Sequence, residues 1–578
     1  MTSQYPETNH LLLFQFRGIS MKTKIAIPVL IGLVALQLAT GCTKKKDAEK
    51  SSTTASTSEG SLDFEKRSVT VNFTEEPKTM DPQKASDTIA LSLLGHTNEG
   101  LTRLDPRNNP FPAQASSWEM KSPTSYEFKI RKGAVWSDGK QVTADDFVFA
   151  WQRGLDPKLA SEYAFMLYII KNGKAVNEGK VPAAKLGVKA VDDFTLQVEL
   201  EQPVAYFLRV LSFGTFYPAR RDFVTTQGEK FAADADKMLF NGPFIIESWK
   251  HNASMKLVKN EKYWNKENIW LNEIDMPYLI RDVNSEFNMF KDDKYALVPT
   301  ISKALLPDAQ KNKMQIRKYN AGAVWYLQVN TTRKITGNLN FRRALQYAMD
   351  REEYSKQVNG IPGTKPIFGI IPDYMPGVSK RYGDEYSVAF KDSDLEKAKK
   401  YLEAAKKELG LKTFPTLGIL SSDSDTAKRD MEYFQSYFKK TLGLDFKLEF
   451  QTFKVRLERT DRKDFDIVYS GWGPDYLDAM TFADLFTSWN RNNNTGWASK
   501  EYDAFIAKAA KTVDQKERLD AMHAAEKLLV DQVPIVPIYQ NFRVYVQNPR
   551  LVGVIRRTVG PDPDFYYAKI TNPTAEKK

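Results

Sequence analysis

Two textures of hydrophobic and polar positions divide the chain. In the first half, short stretches alternate with period two. Residues 68–74, SVTVNFT, place Val69, Val71 and Phe73 on one face. Residues 126–131 repeat this with Tyr126, Phe128 and Ile130, and residues 194–200 with Phe194, Leu196, Val198 and Leu200. Such alternation predicts half-buried strands, here mixed with short helices. In the second half the period lengthens. NFRRALQYAMDREEYSKQ predicts a helix with Asn340 as N-cap and Phe341, Ala344, Leu345, Ala348 and Met349 on one face. Ser393-Asp394-Leu395-Glu396 predicts a capping box that opens a helix stopping at Gly410. A regular alternation follows: strand 416–420, helix 426–442, strand 446–451, helix 454–461, strand 465–469. Strands alternating with helices imply a parallel sheet with covered faces. In such sheets ligands bind beyond the carboxyl ends of the strands.

The last of these strands runs into SGWGPDY, residues 470–476. The stretch reads as a turn holding Trp472 between Gly471 and Gly473, with Asp475 and Tyr476 at once behind it. A large aromatic, two residues without a Cβ and one carboxylate at a strand end are candidate ligand contacts. The structural alternative is that Asp475 caps a following helix whose body is 476–485.

The N-terminus departs from both textures. In MKTKIAIPVLIGLVALQLATGC, residues 21–42, Lys22 and Lys24 precede an apolar run at 25–38 that is too short for a comfortable membrane span. Small residues then precede Cys42, the one cysteine of the chain. This resembles a bacterial lipobox, with Ala39 where a Leu is usual, and implies that Cys42 becomes the lipidated first residue of the mature protein. The alternative is a plain signal peptide with an incidental Cys. Met21 is the expected start, and residues 1–20 an upstream extension that fits no part of a signal. Residues 42–61, polar and rich in Ser and Thr, read as a flexible tether. With Cys42 acylated, no thiol remains for a disulfide, a metal site or a nucleophile.

Charge and motifs narrow the function classes. Arg17, Lys22 and Lys24 against Glu7 leave +2 in residues 1–41, so the mature chain carries +9 of the total +11. The charges form no dense block, which fits anionic envelope surfaces and not nucleic acid. Aromatics, at 12%, serve a core or an apolar ligand surface. There is no G-x-S-x-G elbow, no H-E-x-x-H and no G-x-x-x-x-G-K-[ST] loop. His96, His251 and His523 are widely spaced and fit no metal-ligand pattern. Neither an enzyme nor a cofactor is expected.

Many short motifs fall in a familiar order. They are Glu76-Pro77-Lys78-Thr79-Met80-Asp81-Pro82, Glu99-Gly100-Leu101, Trp136-Ser137-Asp138-Gly139 and Thr143-Ala144-Asp145-Asp146-Phe147. Then come Asn241-Gly242-Pro243-Phe244, Tyr263-Trp264, Phe341-Arg342-Arg343-Ala344-Leu345, Asp350-Arg351 and Val533-Pro534-Ile535-Val536-Pro537. Over roughly residues 66–570 the chain resembles the periplasmic oligopeptide-binding proteins of solute-binding protein family 5, the receptors of peptide ABC importers. The resemblance implies an α/β fold of the periplasmic-binding-protein type II-like kind, a three-domain, two-lobed clam with mixed and parallel sheets. Domain I would be 62–97, 223–326 and 543–578, domain II 98–222 and domain III 327–542. The implied protein is a monomeric, non-enzymatic receptor, periplasmic or extracytoplasmic, lipid-anchored to a membrane and without a cofactor. Its partners are peptides with a free N-terminus and the permease subunits of an ABC transporter.

The resemblance also implies a site. Asp475 falls where the family pairs a carboxylate with the ligand's α-ammonium, Gly471 and Gly473 where backbone approaches the ligand, and Trp472 where an apolar wall stands. Tyr163 matches a ligand-contacting Tyr. Ser86, Asp87 and Thr88 follow the turn where domain I offers backbone groups to the peptide. Phe453 matches a pocket wall, with core packing as the alternative. Two positions depart. Tyr469 stands where members carry an Arg for the peptide C-terminus, and a non-His residue near Ala427 where they carry a His. That leaves the carboxylate end of the ligand open. The competing function is a receptor of the same fold for a murein peptide, a sugar or a metal chelate. Asp475 discriminates, because a neutral sugar offers it no cation.

Overall fold

The computed structural model describes residues 60–572 apart from 73, 74 and 205. The signal peptide, Cys42, most of the tether and Phe73 lie outside the described residues.

The first lobe carries two sheets of four or more strands among the described residues, beside two short two-stranded ones. One is five-stranded, in the order Leu62–Asp63, Ser68–Thr70, Glu273–Met276, Ser254–Lys259, Phe244–Lys250. It buries Val69, Phe244, Ile246, Leu257, Ile274 and Met276 in one core. The other is antiparallel and four-stranded, in the order Ala115–Ser122, Ser125–Ile130, Thr195–Glu199, Val188–Asp192. Its alternating Tyr126, Phe128, Ile130, Leu196 and Val198 are buried with Phe147 and Trp151 of the helix Ala144–Gly154. Period-two patterning located three of these strands, Ser68–Thr70, Ser125–Ile130 and Thr195–Glu199, because buried and more open positions alternate along them.

The second lobe is built on a seven-stranded sheet. Its order is Leu297–Val298, Ile535–Gln547, Ile316–Val329, Ile467–Trp472, Leu417–Ser422, Phe446–Gln451, with Lys365–Pro366 beside Ile535–Gln547. Leu417–Ser422 is parallel to both its neighbours, whereas the remaining pairings are antiparallel. The sheet is therefore mixed. Helix crossovers impose parallel pairing on the three strands between 417 and 472, but the two long strands arrive from distant parts of the chain.

Those long strands, of 14 and 13 residues, link the lobes. At one end Leu327, Val329, Val536 and Ile538 enter the second lobe's core. At the other, Tyr545 enters the core of the five-stranded sheet. Between these ends the ladder shifts register at Asn320/Val324 and again at Trp325/Tyr326. Bulges bend and twist a ribbon locally, which suits a crossing between two bodies.

The helix expected over 340–357 is broken at Met349, whose backbone is not helical; the short helical turns Arg351–Glu353 and Tyr354–Asn359 follow as separate pieces. The helix Leu339–Ala348 is capped by Asn338, whose side chain accepts from the Phe341 amide at 2.9 Å. Asn340 instead donates to Glu408 at 2.7 Å. Asp394, not Ser393, caps Leu395–Leu409, which closes on Gly410 at φ 67° as expected.

Candidate functional site

The strand Ile467–Trp472 runs three residues past its predicted end at 469. Gly471 still faces Trp325 and Trp472 faces Val324 in the ladder. Glycine is required at 471 because a Cβ there would sit 2.8 Å from the Trp325 ring. That position makes room for a neighbouring side chain. Gly473 is different, since a Cβ there meets nothing within 4 Å.

Side chains alternate across this strand. Tyr469 lies on the face turned into the second lobe. It is buried, donates to the Asp430 carboxylate at 2.9 Å, and has the Tyr539 and Tyr354 hydroxyls at 3.2 and 3.3 Å. Arg429 holds that carboxylate at 2.8 Å. Tyr469 thus belongs to an internal network. Trp472 lies on the opposite face, with its ring centroid 6.2 Å from that of Tyr163 in the first lobe. Its buried indole Nε1 has no hydrogen-bond partner among the described residues.

Asp475 sits at this seam. Its Oδ1 accepts from the Tyr163 hydroxyl at 2.9 Å, and its backbone N–H donates to Thr481 Oγ1 at 2.9 Å. It does not cap the next helix, Met480–Ala483, which starts later and has Ala479 at its N-cap. No cation reaches ion-pair distance of Asp475 among the described residues. Withdrawal from water pushes its carboxyl up to about 7, against the pull of hydrogen bonds from Tyr163 and Thr481. Nearby Asp484 is raised well above the usual range by burial, with Asp475 and Asp478 adding to it. Asp478 has its own partner, Arg518, at 2.8 and 3.1 Å. Tyr476 stacks on Tyr206 of the first lobe, with centroids 4.5 Å apart.

Ser86, Asp87 and Thr88 divide by role. Asp87 is buried and caps the helix Thr88–Thr97, accepting from the Ile89, Ala90 and Lys78 amides. Thr88, its first residue, is exposed. Ser86 donates to Glu162. Phe453 opens the helix Phe453–Asp461, partly exposed, with the Arg456 guanidinium 5.2 Å from its ring centroid.

Several residues at the seam escaped the sequence reading. Lys78 Nζ lies 2.7 Å from Glu162 and 2.6 Å from Asp461, so one ammonium ties both lobes together. The partners are 84 and 383 residues away along the chain, a spacing that carries no sequence signal. Glu162 and Asp461 also line a recess of ≈610 Å³ with Trp489, Arg491 and Trp497, which does not include Asp475.

The comparisons with known proteins bear on this arrangement. The model of the bacterial extracellular solute-binding proteins, family 5, matches residues 109–494. The chain belongs to that family. A relative is the dipeptide-binding protein DppE of Bacillus subtilis, 34% identical over 530 residues, which are 90% of this chain and 94% of that protein. The structure of Listeria monocytogenes OppA bound to peptide superposes with a TM-score of 0.83 at 33% identity, covering 88% of this chain and 99% of that one. The Escherichia coli murein tripeptide binding protein MppA superposes at 0.81 in one structure (26% identity, 87% of this chain, 98% of that one). In its unliganded open form it reaches only 0.59 (26% identity, 89% and 99%). The lobes of this family 5 chain are therefore not set apart as in that open form, in keeping with the direct Tyr163–Asp475 bond across the seam.

Proposed function

We propose that this chain is an extracytoplasmic receptor that receives peptides between its two lobes and delivers them to an ABC importer, with Asp475 taking the ligand's α-ammonium. The observation that carries this reading is a carboxylate at the seam, withdrawn from water and without a cation. An α-ammonium is the one positive charge that every unblocked peptide offers whatever its sequence. The unpartnered Trp472 indole and the open space at Gly473 support the same reading. Binding at the seam would part Tyr163 from Asp475, and hinge motion about the two bulged strands provides for that. The three-domain division is kept. It is supported by a five-stranded sheet drawn from 62–70 and 244–276 and a four-stranded one drawn from 115–199. Lipid anchoring through Cys42 is part of the proposal, and Cys42→Ser should release the protein from membranes.

Calorimetry with a short peptide and its N-acetyl form tests the assignment. Acetylation removes the charge and should weaken binding at least about a hundredfold, or about 2.8 kcal/mol at about 1.4 per decade. Equal binding of the two forms would sink the role of Asp475 and favour a non-peptide solute.

A further inference from the structure

Arg456 is a buried guanidinium without a carboxylate. The side chain comes from the second turn of the helix Phe453–Asp461, and the residue is 7% exposed. Its Nε donates to Ser422 Oγ at 3.0 Å and one terminal nitrogen to Ser470 Oγ at 3.3 Å. The other terminal nitrogen has no partner among the described residues. Phe453 covers the group from one side. No Asp or Glu comes within 4.0 Å of it among the described residues. Asp461, at the far end of its own helix, acts on it only from a distance and is itself engaged by Lys78 at 2.6 Å. Two hydroxyls orient a guanidinium but do not neutralise it, so it lacks a direct counter-ion in a poorly solvated place. Burial accordingly pulls the group down to about 10.

Its position is as telling as its charge. Ser422 ends the strand Leu417–Ser422, and Ser470 lies two residues before the end of Ile467–Trp472. Both are at the carboxyl ends of parallel-paired strands, where α/β sheets bind ligands. Ser470 shares a face with Trp472, the residue that meets Tyr163 of the other lobe. The first turn of Phe453–Asp461 opens at the same end and favours negative charge.

We propose that Arg456, set by Ser422 and Ser470, is an anion-receiving subsite that binds a carboxylate of the peptide ligand. The subsite rests on the peptide reading above and adds a negative-end contact to the positive-end contact at Asp475. Ser470 and Asp475 are five residues apart, at most about 18 Å of chain. An extended peptide advances about 3.4 Å per residue. Peptides of three to five residues can therefore bridge the two, and the C-terminal α-carboxylate of such a peptide is the group that Arg456 receives. An acidic side chain of a longer peptide has the same chemistry, and the test separates them.

Calorimetry on tri-, tetra- and penta-alanine, each as free acid and as C-terminal amide, measures the subsite in the wild type, Arg456→Gln and Arg456→Lys. For at least one length, amidation should weaken wild-type binding tenfold or more. In Arg456→Gln the free acid should fall to the level of the amide, and amidation should then cost nothing, as a thermodynamic cycle requires of a direct pair. Arg456→Lys keeps a charge and should keep part of the discrimination, whereas a purely structural loss would lower acid and amide alike. A second arm uses amidated penta-alanine with one Glu at each position in turn. A Glu preference that disappears in Arg456→Gln assigns the subsite to side-chain carboxylates and supports the shared chemistry. The same amidation penalty in wild type and Arg456→Gln overturns the proposal. So does a wild type indifferent to both amidation and Glu while still discriminating against N-acetylation, an outcome that leaves the Asp475 reading standing. No binding of any alanine peptide by the wild type overturns both.

Discussion

Two buried polar regions of this chain have opposite electrostatics. Inside the first lobe, Asp564 lies 3.2 Å from Arg103 and 2.6 Å from Arg557, all three buried. Burial raises the Asp564 carboxyl, yet Arg103 and Arg557 outweigh it and hold the group below its usual range. Glu99 beside them accepts from Tyr263, Trp264 and Gln114. His96 keeps one fixed arrangement. Its Nδ1 faces the Ser92 carbonyl at 2.7 Å, and its Nε2 accepts from the Phe565 amide at 3.1 Å. At the interlobe seam, by contrast, Asp475 has no cation and Arg456 no anion within ion-pair distance among the described residues. In the first region the Asp564 charge is paired without a ligand. On the reading proposed above, the second is completed by a ligand that brings the missing charges. Asp564 is a buried charge paired within one lobe, whereas Asp475 and Arg456 are buried charges left without an ion pair between the lobes.

The comparison can be broken first at the paired Asp564. Asp564→Ala strands two buried guanidinium groups and should cost about 3–5 kcal/mol. Urea unfolding measures this, and a loss under about 1 kcal/mol would erase the contrast. The seam should respond in the opposite direction. Asp475→Asn keeps an acceptor for Tyr163 and removes an unpaired charge, so it should stabilise the empty protein. The folded carboxyl titrates near 7 against an ordinary 3.8. The cost of ionising it therefore grows as pH rises from about 4 to about 7 and is complete above that. The ceiling is about 4 kcal/mol, at about 1.4 per tenfold change in proton affinity. Thermal melts should show the variant's advantage larger at pH 8 than at pH 5, and an advantage confined to acid pH would reverse the assignment.

Binding should carry the same signature at smaller size. A peptide ammonium favours the ionised carboxylate, so affinity should fall about tenfold for each pH unit below about 7, a loss of about 1.4 kcal/mol per unit. Proton release on binding, read by calorimetry in buffers of different ionisation enthalpy, checks this, and pH-independent affinity between 5 and 7 would count against Asp475. The smallest effect belongs to Lys78. Its ion pairs with Glu162 and Asp461 are partly solvated and worth about 1 kcal/mol or less. Lys78→Met should shift the empty protein toward a more open form, seen as a larger radius of gyration in small-angle scattering. An unchanged radius would show that apolar contact alone closes the seam.

Patterning along the chain reached far into the second lobe. Strand 446–451 and the helix stop at Gly410 were legible, because amphipathic alternation and a left-handed C-cap are local in sequence. The strand carrying the site was cut short at Tyr469, because Gly471 and Trp472 read as a turn until Trp325 is seen lying on Gly471. Asp475 was found through ordered motifs, and its unpaired state was not visible in them. Whether a carboxylate has a cation depends on every residue that folding brings within a few ångströms, and those residues are scattered over the chain.

By itself, then, the sequence determined the elements, the family and the candidate carboxylate, since periodicity, caps and ordered motifs are properties of neighbouring residues. Only the tertiary structure decided which charges are neutralised. It paired Asp564 with arginines 461 and 7 residues away, and gave Asp461 to Lys78 across 383 residues. It left Arg456 with two serines. Electrostatic completeness is a matter of distance and burial in space, and linear spacing does not encode either.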